Sequence, residues 1–294
     1  MKKTFVILHI AVLLAGFTGV FGRLISLNEY LLTWYRTGFS FLFLLIYVLA
    51  KKTNFKYPLA DIWSMAKAGL LIGFHWVFFY ASIKYSNVSV GVVCYCLTSF
   101  FTALVGPFVN KKRFNWVELF LGAVTLAGVG LIFHFDTSFR TGIILGVISS
   151  FLASLYTLFN ERLVKRYDVA VINLYQMLSG SIGLTLVLPL FLYFFPVKTL
   201  VPGSTDVLYL ILLSLFCTVL LYVLVAEVLK KLSAFSVNLT FNLEPVYSII
   251  LAIIMFHESR QLNVSFYGGL ALVMISVLLQ AILNRKEKEP AVVL

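Results

Sequence analysis

Long apolar segments alternate along the chain with short polar connections. Ten of these segments approach the roughly 20 residues that a helix needs to cross a bilayer. The connection after the third segment is so short, residues 85–87, that its neighbours must form an antiparallel hairpin. The pattern predicts an all-α membrane protein with ten transmembrane helices and no water-soluble domain. The predicted spans are 4–22, 30–50, 65–84, 88–109, 115–134, 141–160, 169–194, 206–229, 234–256 and 262–284.

Composition supports a lipid environment. Hydrophobic residues make up 61% of the 294 residues and charged residues only 12%, with a mean hydropathy of +0.99. A soluble domain carries about 25% charged residues. A net charge of +11 would suggest nucleic acid in a soluble protein, but here the basic residues form short clusters between apolar segments. We therefore expect a lipid bilayer as partner, and no nucleic acid.

The distribution of basic residues predicts the orientation. With the N-terminus in the cytoplasm, 17 of the 23 Lys and Arg residues fall on the cytoplasmic side, 5 fall on the opposite side, and Arg36 lies within a span. Lys and Arg in short loops favour the cytoplasmic side of a membrane. An even number of spans then places both termini in the cytoplasm, and we expect the bacterial inner membrane as the location.

A weak internal repeat divides the chain. A shift of 146 residues aligns Tyr80–Gly122 with Ala226–Gly268, and a shift near 140 aligns the earlier spans. The predicted domains are residues 1–138 and 139–294, with five spans each. Because five is odd, the two halves must enter the membrane from opposite sides, as in many secondary transporters.

The charge pattern offers independent support for this inversion. The basic turn at residues 111–113 follows the fourth span, whereas residues 257–259, at the equivalent place after the ninth, are nearly neutral. An inverted pair should show this difference, because the two turns would face opposite sides of the membrane.

An ordered set of polar and small residues accompanies the repeat. It comprises Tyr222, Ser233-Ala234, the LEPV sequence at 243–246, Ala252, Glu258 and Gly268-Gly269, and in the first half Tyr80, Asn87, Gly91, Pro107, Gly122, Gly128 and Gly130. With this set, the chain resembles the EamA-type proteins of the drug/metabolite transporter superfamily over nearly its whole length. The resemblance implies ten helices in two inverted repeats, no cofactor, and transport of amino acids, other metabolites, sugars or nucleotide derivatives.

Glu244 and Pro245 interrupt the ninth apolar segment. A carboxylate at this depth is costly, and proline frees a backbone carbonyl one turn earlier. Two interpretations stay open. Either Glu244 faces a transport pathway and Pro245 supplies a gating bend, or Glu244 bonds a neighbouring helix and the bend only shapes packing.

Arg36 lies about two turns inside the second span, and its repeat equivalent is Gln176. A buried cation could bind a substrate carboxylate, or it could extend outward or pair with Glu29. His75 could transfer protons, or it could be a hydrogen-bonded packing residue. The predicted cavity residues are Arg36, His75, Tyr80, Tyr95, Thr98, Tyr156, Gln176, Tyr222, Asn242 and Glu244, with Pro107 and Pro245 as kinks.

We expect a secondary transporter or facilitator that exports an amino acid or related small solute by alternating access between the halves. A membrane-embedded transferase and a channel are the alternatives, but no catalytic, metal-binding, nucleotide-binding or filter motif is recognisable. No metal site is predicted, since the cysteines lie far from any histidine at ligand spacing. Gly142 and Gly146 permit close helix packing, within a monomer or across a weak homodimer.

Overall fold

The computed structural model describes residues 2–110, 113–134, 139–197, 199–257 and 264–286, and the regular structure in these ranges is entirely helical. Ten helices form, as the apolar pattern predicts, although α3 begins six residues earlier than expected. They are α1 Lys2–Leu24, α2 Glu29–Ala50, α3 Leu59–Lys84, α4 Val88–Asn110, α5 Trp116–His134, α6 Arg140–Leu163, α7 Val169–Phe194, α8 Ser204–Leu229, α9 Ala234–Phe256 and α10 Val264–Lys286.

Eight of the described helices are long and apolar enough to cross a membrane by length and composition. The other two, α5 and α10, contain shorter apolar segments, Trp116–Ile132 and Val264–Leu279. Large apolar side chains such as Ile46, Phe108 and Leu186 project outward with exposures of 64%, 70% and 76%. Such an exposed apolar surface suits lipid rather than water.

Side-chain caps begin five of the described helices, and Asn115 caps α5 by accepting from the backbone N–H groups of Val117 and Glu118. Asn28 before α2, Asn87 before α4 and Asp168 before α7 each accept a hydrogen bond from a backbone N–H of the first turn. Ser233 does the same before α9. Such caps satisfy backbone donors that have no partner inside the helix. Asn87 and Ser233 are equivalent under the 146-residue shift, so the two halves begin these helices in the same way.

Two helices are broken at equivalent positions. Helix α4 consists of Val88–Tyr95 and Leu97–Asn110, and α9 consists of Ala234–Phe241 and Glu244–Phe256. The 146-residue shift places the two breaks on each other. Pro245 lies in the first turn of the second α9 segment, where its missing backbone donor costs little. Broken helices of this kind are tolerated in membranes where protein or a polar cavity surrounds them.

The helix packing has the pattern of a two-fold relation. Helix α1 packs against α8 and α9, and its repeat equivalent α6 packs against α3 and α4. Helix α2 contacts its own equivalent α7, and α5 contacts its own equivalent α10. The two five-helix halves are therefore interlocked, and the predicted fold class is confirmed.

Glycines allow the closest helix approaches. A Cβ on Gly142 would lie 2.7 Å from Ser86 of the α3–α4 turn, and a Cβ on Gly146 would lie 2.5 Å from Cys94 of α4. This face of α6 is occupied within the chain. Both glycines therefore serve close packing of α6 against other helices of the same chain.

Candidate functional site

A small cavity lies where α1, α2, α3, α4, α8 and α9 meet, and both halves of the fold contribute to it. Its volume is about 30 Å³. This is enough for water, which needs about 10–15 Å³, but the cavity must widen before it holds an organic solute. Three ionisable side chains line it, Arg36, His75 and Glu244, and an aromatic wall is formed by Trp76, Phe79, Tyr95, Tyr222 and Phe241.

Arg36 is the cation of this cavity and is only 1% exposed. Its Nη1 donates to the Tyr80 hydroxyl at 2.6 Å, its Nε to the Thr218 hydroxyl at 2.7 Å, and its Nη2 to the carbonyl of Cys217 at 2.8 Å. The guanidinium carbon also lies 3.7 Å from the centroid of the Trp76 ring. These contacts compensate the burial of a charge. The alternative pairing with Glu29 does not occur among the described residues, and that interpretation is wrong.

A π-helical turn in α8 supplies two of the acceptors for Arg36. Leu215–Leu220 forms this turn, in which backbone hydrogen bonds are displaced by one residue relative to an α-helix. The Cys217 carbonyl that accepts from Arg36 lies within this turn. Thr218 donates its own hydroxyl to the Leu213 carbonyl at 3.0 Å while accepting from Arg36. The sequence shows no proline or glycine that would have revealed this turn.

Repeat-equivalent aromatic residues meet at the centre of the fold. Trp76 donates its indole N–H to the Tyr222 hydroxyl at 3.1 Å, and the two positions are 146 residues apart. Tyr95 and Phe241 have the same separation, and their ring centroids lie 6.5 Å apart. Equivalent residues of a two-fold arrangement meet when they lie near its axis. Trp76 and Phe241 were not among the predicted cavity residues, although aligning aromatic with aromatic under the shift would have found them.

Three predicted residues lie behind this wall rather than in the cavity. Tyr80 bonds Arg36, as described above. Gln176 donates to Asn160 at 3.0 Å, and Asn160 donates to the Tyr156 hydroxyl at 3.1 Å, which in turn bonds Gln176 at 3.3 Å. The Tyr156 and Tyr222 rings lie 5.8 Å apart. Gln176, the equivalent of Arg36, thus belongs to a closed neutral cluster.

Glu244 begins the second segment of α9 and is 3% exposed. Its side chain lines the cavity. No donor from the described residues forms a hydrogen bond to its carboxylate. A buried carboxylate without a donor is costly, so the position favours a ligand, water or proton as its partner.

His75 is hydrogen-bonded as well as cavity-lining. Its Nδ1 lies 2.8 Å from the Ser149 hydroxyl and 2.9 Å from the Ser149 carbonyl. The ring centroid lies 5.5 Å from that of Tyr95. Ser149 therefore fixes the orientation of the imidazole, while its other edge stays within the cavity wall.

Asn242 and Thr98 lie at the helix breaks, outside the cavity lining. Asn242 donates to the hydroxyls of Ser99 and Thr125, each at 3.3 Å. One turn away, Asn238 donates to the Thr102 hydroxyl at 2.8 Å. These bonds join the first segment of α9 and the break that follows it to the second segment of α4 and to α5. We call the two asparagines with their acceptors the asparagine ladder. The Thr98 hydroxyl is buried and has no partner among the described residues.

Pro107 borders a second, larger cavity of about 210 Å³. Thr102 of the asparagine ladder lies at one end of this cavity, and the charged residues Arg113, Glu118 and Glu161 also line it. Asn110 bridges this region by donating to Glu161 at 3.2 Å and accepting from Arg162 at 2.7 Å. Through Thr102, the asparagine ladder therefore contributes to the lining of this second cavity.

Two interlocked halves, broken helices at equivalent positions and a cavity with charged side chains between them are typical of a membrane transporter. Residues 2–134 and 140–282 each match the EamA-like transporter family, and the chain belongs to this family. The assignment as a transporter rather than an enzyme is thereby confirmed.

Individual relatives agree with this assignment. The chain is 25% identical to the uncharacterized transporter YxxF of Bacillus subtilis, over 85% of this chain and 81% of the relative. It is 23% identical to an uncharacterized transporter of Archaeoglobus fulgidus, over 87% and 90% of the two chains. A solved crystal structure shares the fold with a TM-score of 0.73 at 17% identity, covering 97% of this chain and 99% of the other.

Proposed function

We propose that the protein is a carrier that exports an amino acid or related small metabolite by alternating access between residues 1–138 and 139–294. The observation that carries the proposal is the cavity between the halves, lined by one buried cation, one buried carboxylate and an aromatic wall. A charged cavity at this depth is costly to maintain unless it binds something.

At about 30 Å³ the cavity is too small for an organic solute, so the halves must move apart to load one. With both termini in the cytoplasm, as the basic residues predict, the 210 Å³ cavity opens toward the cytoplasm and the asparagine ladder closes the path above it. Rocking of the halves would break this ladder to load solute and reform it before release outside. A monomer contains every element of this path, and any homodimer would be weak.

Counterflow in proteoliposomes tests the proposal directly. The purified protein is reconstituted with a mixture of unlabelled amino acids and small metabolites inside, and labelled species are added outside one at a time, with and without a pH gradient. Accumulation of one solute class above protein-free liposomes supports a carrier. Steady leakage of many ions without exchange would instead indicate a channel.

Orientation is tested separately in intact bacterial cells. Cysteines replacing Tyr85, which is 53% exposed, and Lys165, also exposed, are treated with a membrane-impermeant maleimide. Labelling at position 85 but not at position 165 is expected for cytoplasmic termini in the inner membrane. The reverse pattern would invert the proposed direction of the two cavities.

A further inference from the structure

We propose that the central cavity selects a small zwitterion and holds it in one orientation, with its carboxylate toward Arg36 and its ammonium toward Glu244. The inference rests on the proposed carrier function and assigns the ligand chemistry of that same cavity. It follows from three observations: the spare donors of Arg36, the unpartnered carboxylate of Glu244, and the absence of either charge at the equivalent positions of the other half.

Arg36 is fixed in place and keeps donors for a ligand. A guanidinium has five N–H groups in a planar fork. Three are used by Tyr80, Thr218 and the Cys217 carbonyl, while Trp76 covers one face of the group. Two N–H groups, one on each terminal nitrogen, remain for a carboxylate. A cation held this rigidly loses little freedom when a ligand binds.

Glu244 supplies the opposite charge from the other half of the fold. It lines the same cavity, is 3% exposed, and accepts no hydrogen bond from the described residues. A ligand ammonium carries three donors and would satisfy this carboxylate. A simple anion would leave Glu244 without a donor, and a simple cation would leave the spare donors of Arg36 unused.

The two halves differ in charge at equivalent positions, so the cavity has one positive and one negative end. Arg36 is equivalent to Gln176, which is closed into a neutral cluster with Tyr156 and Asn160. Glu244 is equivalent to Thr98, a neutral hydroxyl outside the cavity lining. The two-fold relation of the backbone would treat both ends of a ligand alike. These two unmatched charges remove that equivalence and define one orientation.

The first test compares ligands that differ only in charge. Each common amino acid is paired with its amide, which lacks the carboxylate, and its 2-hydroxy acid, which lacks the ammonium. Competition in the wild-type counterflow assay is the measurement. We expect the preferred amino acid to compete roughly 10- to 100-fold better than either partner, as the loss of one buried charge-assisted hydrogen bond implies.

The second test assigns each ligand group to its residue. Glu244→Gln should bring the amino acid and its 2-hydroxy acid to within about threefold of each other, and Arg36→Gln should do the same for the amino acid and its amide. Arg36→Lys keeps the charge and should retain preference for the carboxylate. Glu227→Gln is the matched control, because this carboxylate is 46% exposed and pairs with Lys230 outside the cavity.

The outcomes separate this inference from the carrier function. Equal competition by the amides or 2-hydroxy acids, or preferred exchange of uncharged sugars, leaves the carrier proposal standing and overturns the zwitterion assignment. Wild-type discrimination that persists unchanged in Glu244→Gln and Arg36→Gln also overturns it. Absence of any exchange by folded, monodisperse wild-type protein overturns both proposals. The wild-type comparison decides the assignment even if a variant fails to fold.

Discussion

The crossing of α3 and α7 gives the sharpest test of how tightly the halves are packed. A Cβ built on Gly69 of α3 would lie 2.5 Å from the Gln176 Cα and closer still to the Gln176 carbonyl oxygen. Ordinary contact begins at about 3.4 Å. Gly69→Ala must therefore move the two helices apart by about 1 Å, because backbone atoms cannot turn aside as side chains can.

The overpacking caused by Gly69→Ala should lower the free energy of unfolding by about 1–3 kcal/mol. Any Gly→Ala change inside a helix also gains about 0.5–1 kcal/mol from backbone entropy. Gly130→Ala in α5 isolates the packing effect, since a Cβ at that position meets nothing within 4 Å. The difference in stability between the two variants removes the entropic gain that they share and leaves the steric cost.

Thermal unfolding of the purified protein in detergent, followed by fluorescence-detected size exclusion, measures the difference. We expect Gly69→Ala to unfold at a clearly lower temperature than wild type and Gly130→Ala at the same or a slightly higher one. Because Gln176 lies in this crossing, exchange should also slow in Gly69→Ala. Equal unfolding temperatures for the two variants would refute the close approach of α3 and α7.

Three further predictions follow from the site and its surroundings. Asn238→Leu should weaken the asparagine ladder and increase alkylation of Cys217 by a small thiol reagent, in a chain whose other two cysteines are replaced; unchanged alkylation would show that the ladder does not close the path. If Glu244 couples protons to transport, Glu244→Gln should abolish the response to a pH gradient, while exchange at saturating solute persists with weaker binding; pH-driven transport at the wild-type rate would contradict coupling. Outside the spans, the Tyr167 hydroxyl donates a hydrogen bond to Asp61 at 2.6 Å, which raises the pKa of Tyr167. The stabilising effect of this bond is present below the usual pKa of 10.0 and is lost as pH rises above it. In an alkaline titration followed by absorbance, the tyrosine component that is missing from Tyr167→Phe should have a raised pKa.

The fold was predictable because its causes are local and repeated. Apolar length determines each span, and the caps Asn87 and Ser233 are visible as polar residues directly before apolar segments. The break in α9 was indicated by Pro245. The matching break in α4 was not, because Cys96 and Leu97 carry no local signal and only the alignment of the halves points to it.

The charged residues of the site could be predicted from the sequence, but the residues that contact them could not. A buried Arg36 and Glu244 stand out in an apolar sequence, since each is costly in a membrane. Whether Arg36 would extend outward or inward depended on α8, 180 residues away, where the π turn presents Thr218 and the Cys217 carbonyl. Contacts of this range depend on tertiary packing, which residue type and spacing do not encode.

Because of the π turn, the groups that α8 presents to the cavity depend on the exact number of residues in this helix. One extra residue is accommodated within Leu215–Leu220 while the helix on either side keeps its direction. Loss of one codon there would restore a regular helix, leave Tyr222 in place and remove the carbonyl that holds Arg36. Loss of one codon from the regular segment before the turn, Ser204–Ser214, would turn everything beyond it by about 100° and misplace Tyr222 itself. Along this helix, the number of residues is therefore under as much functional constraint as their identity.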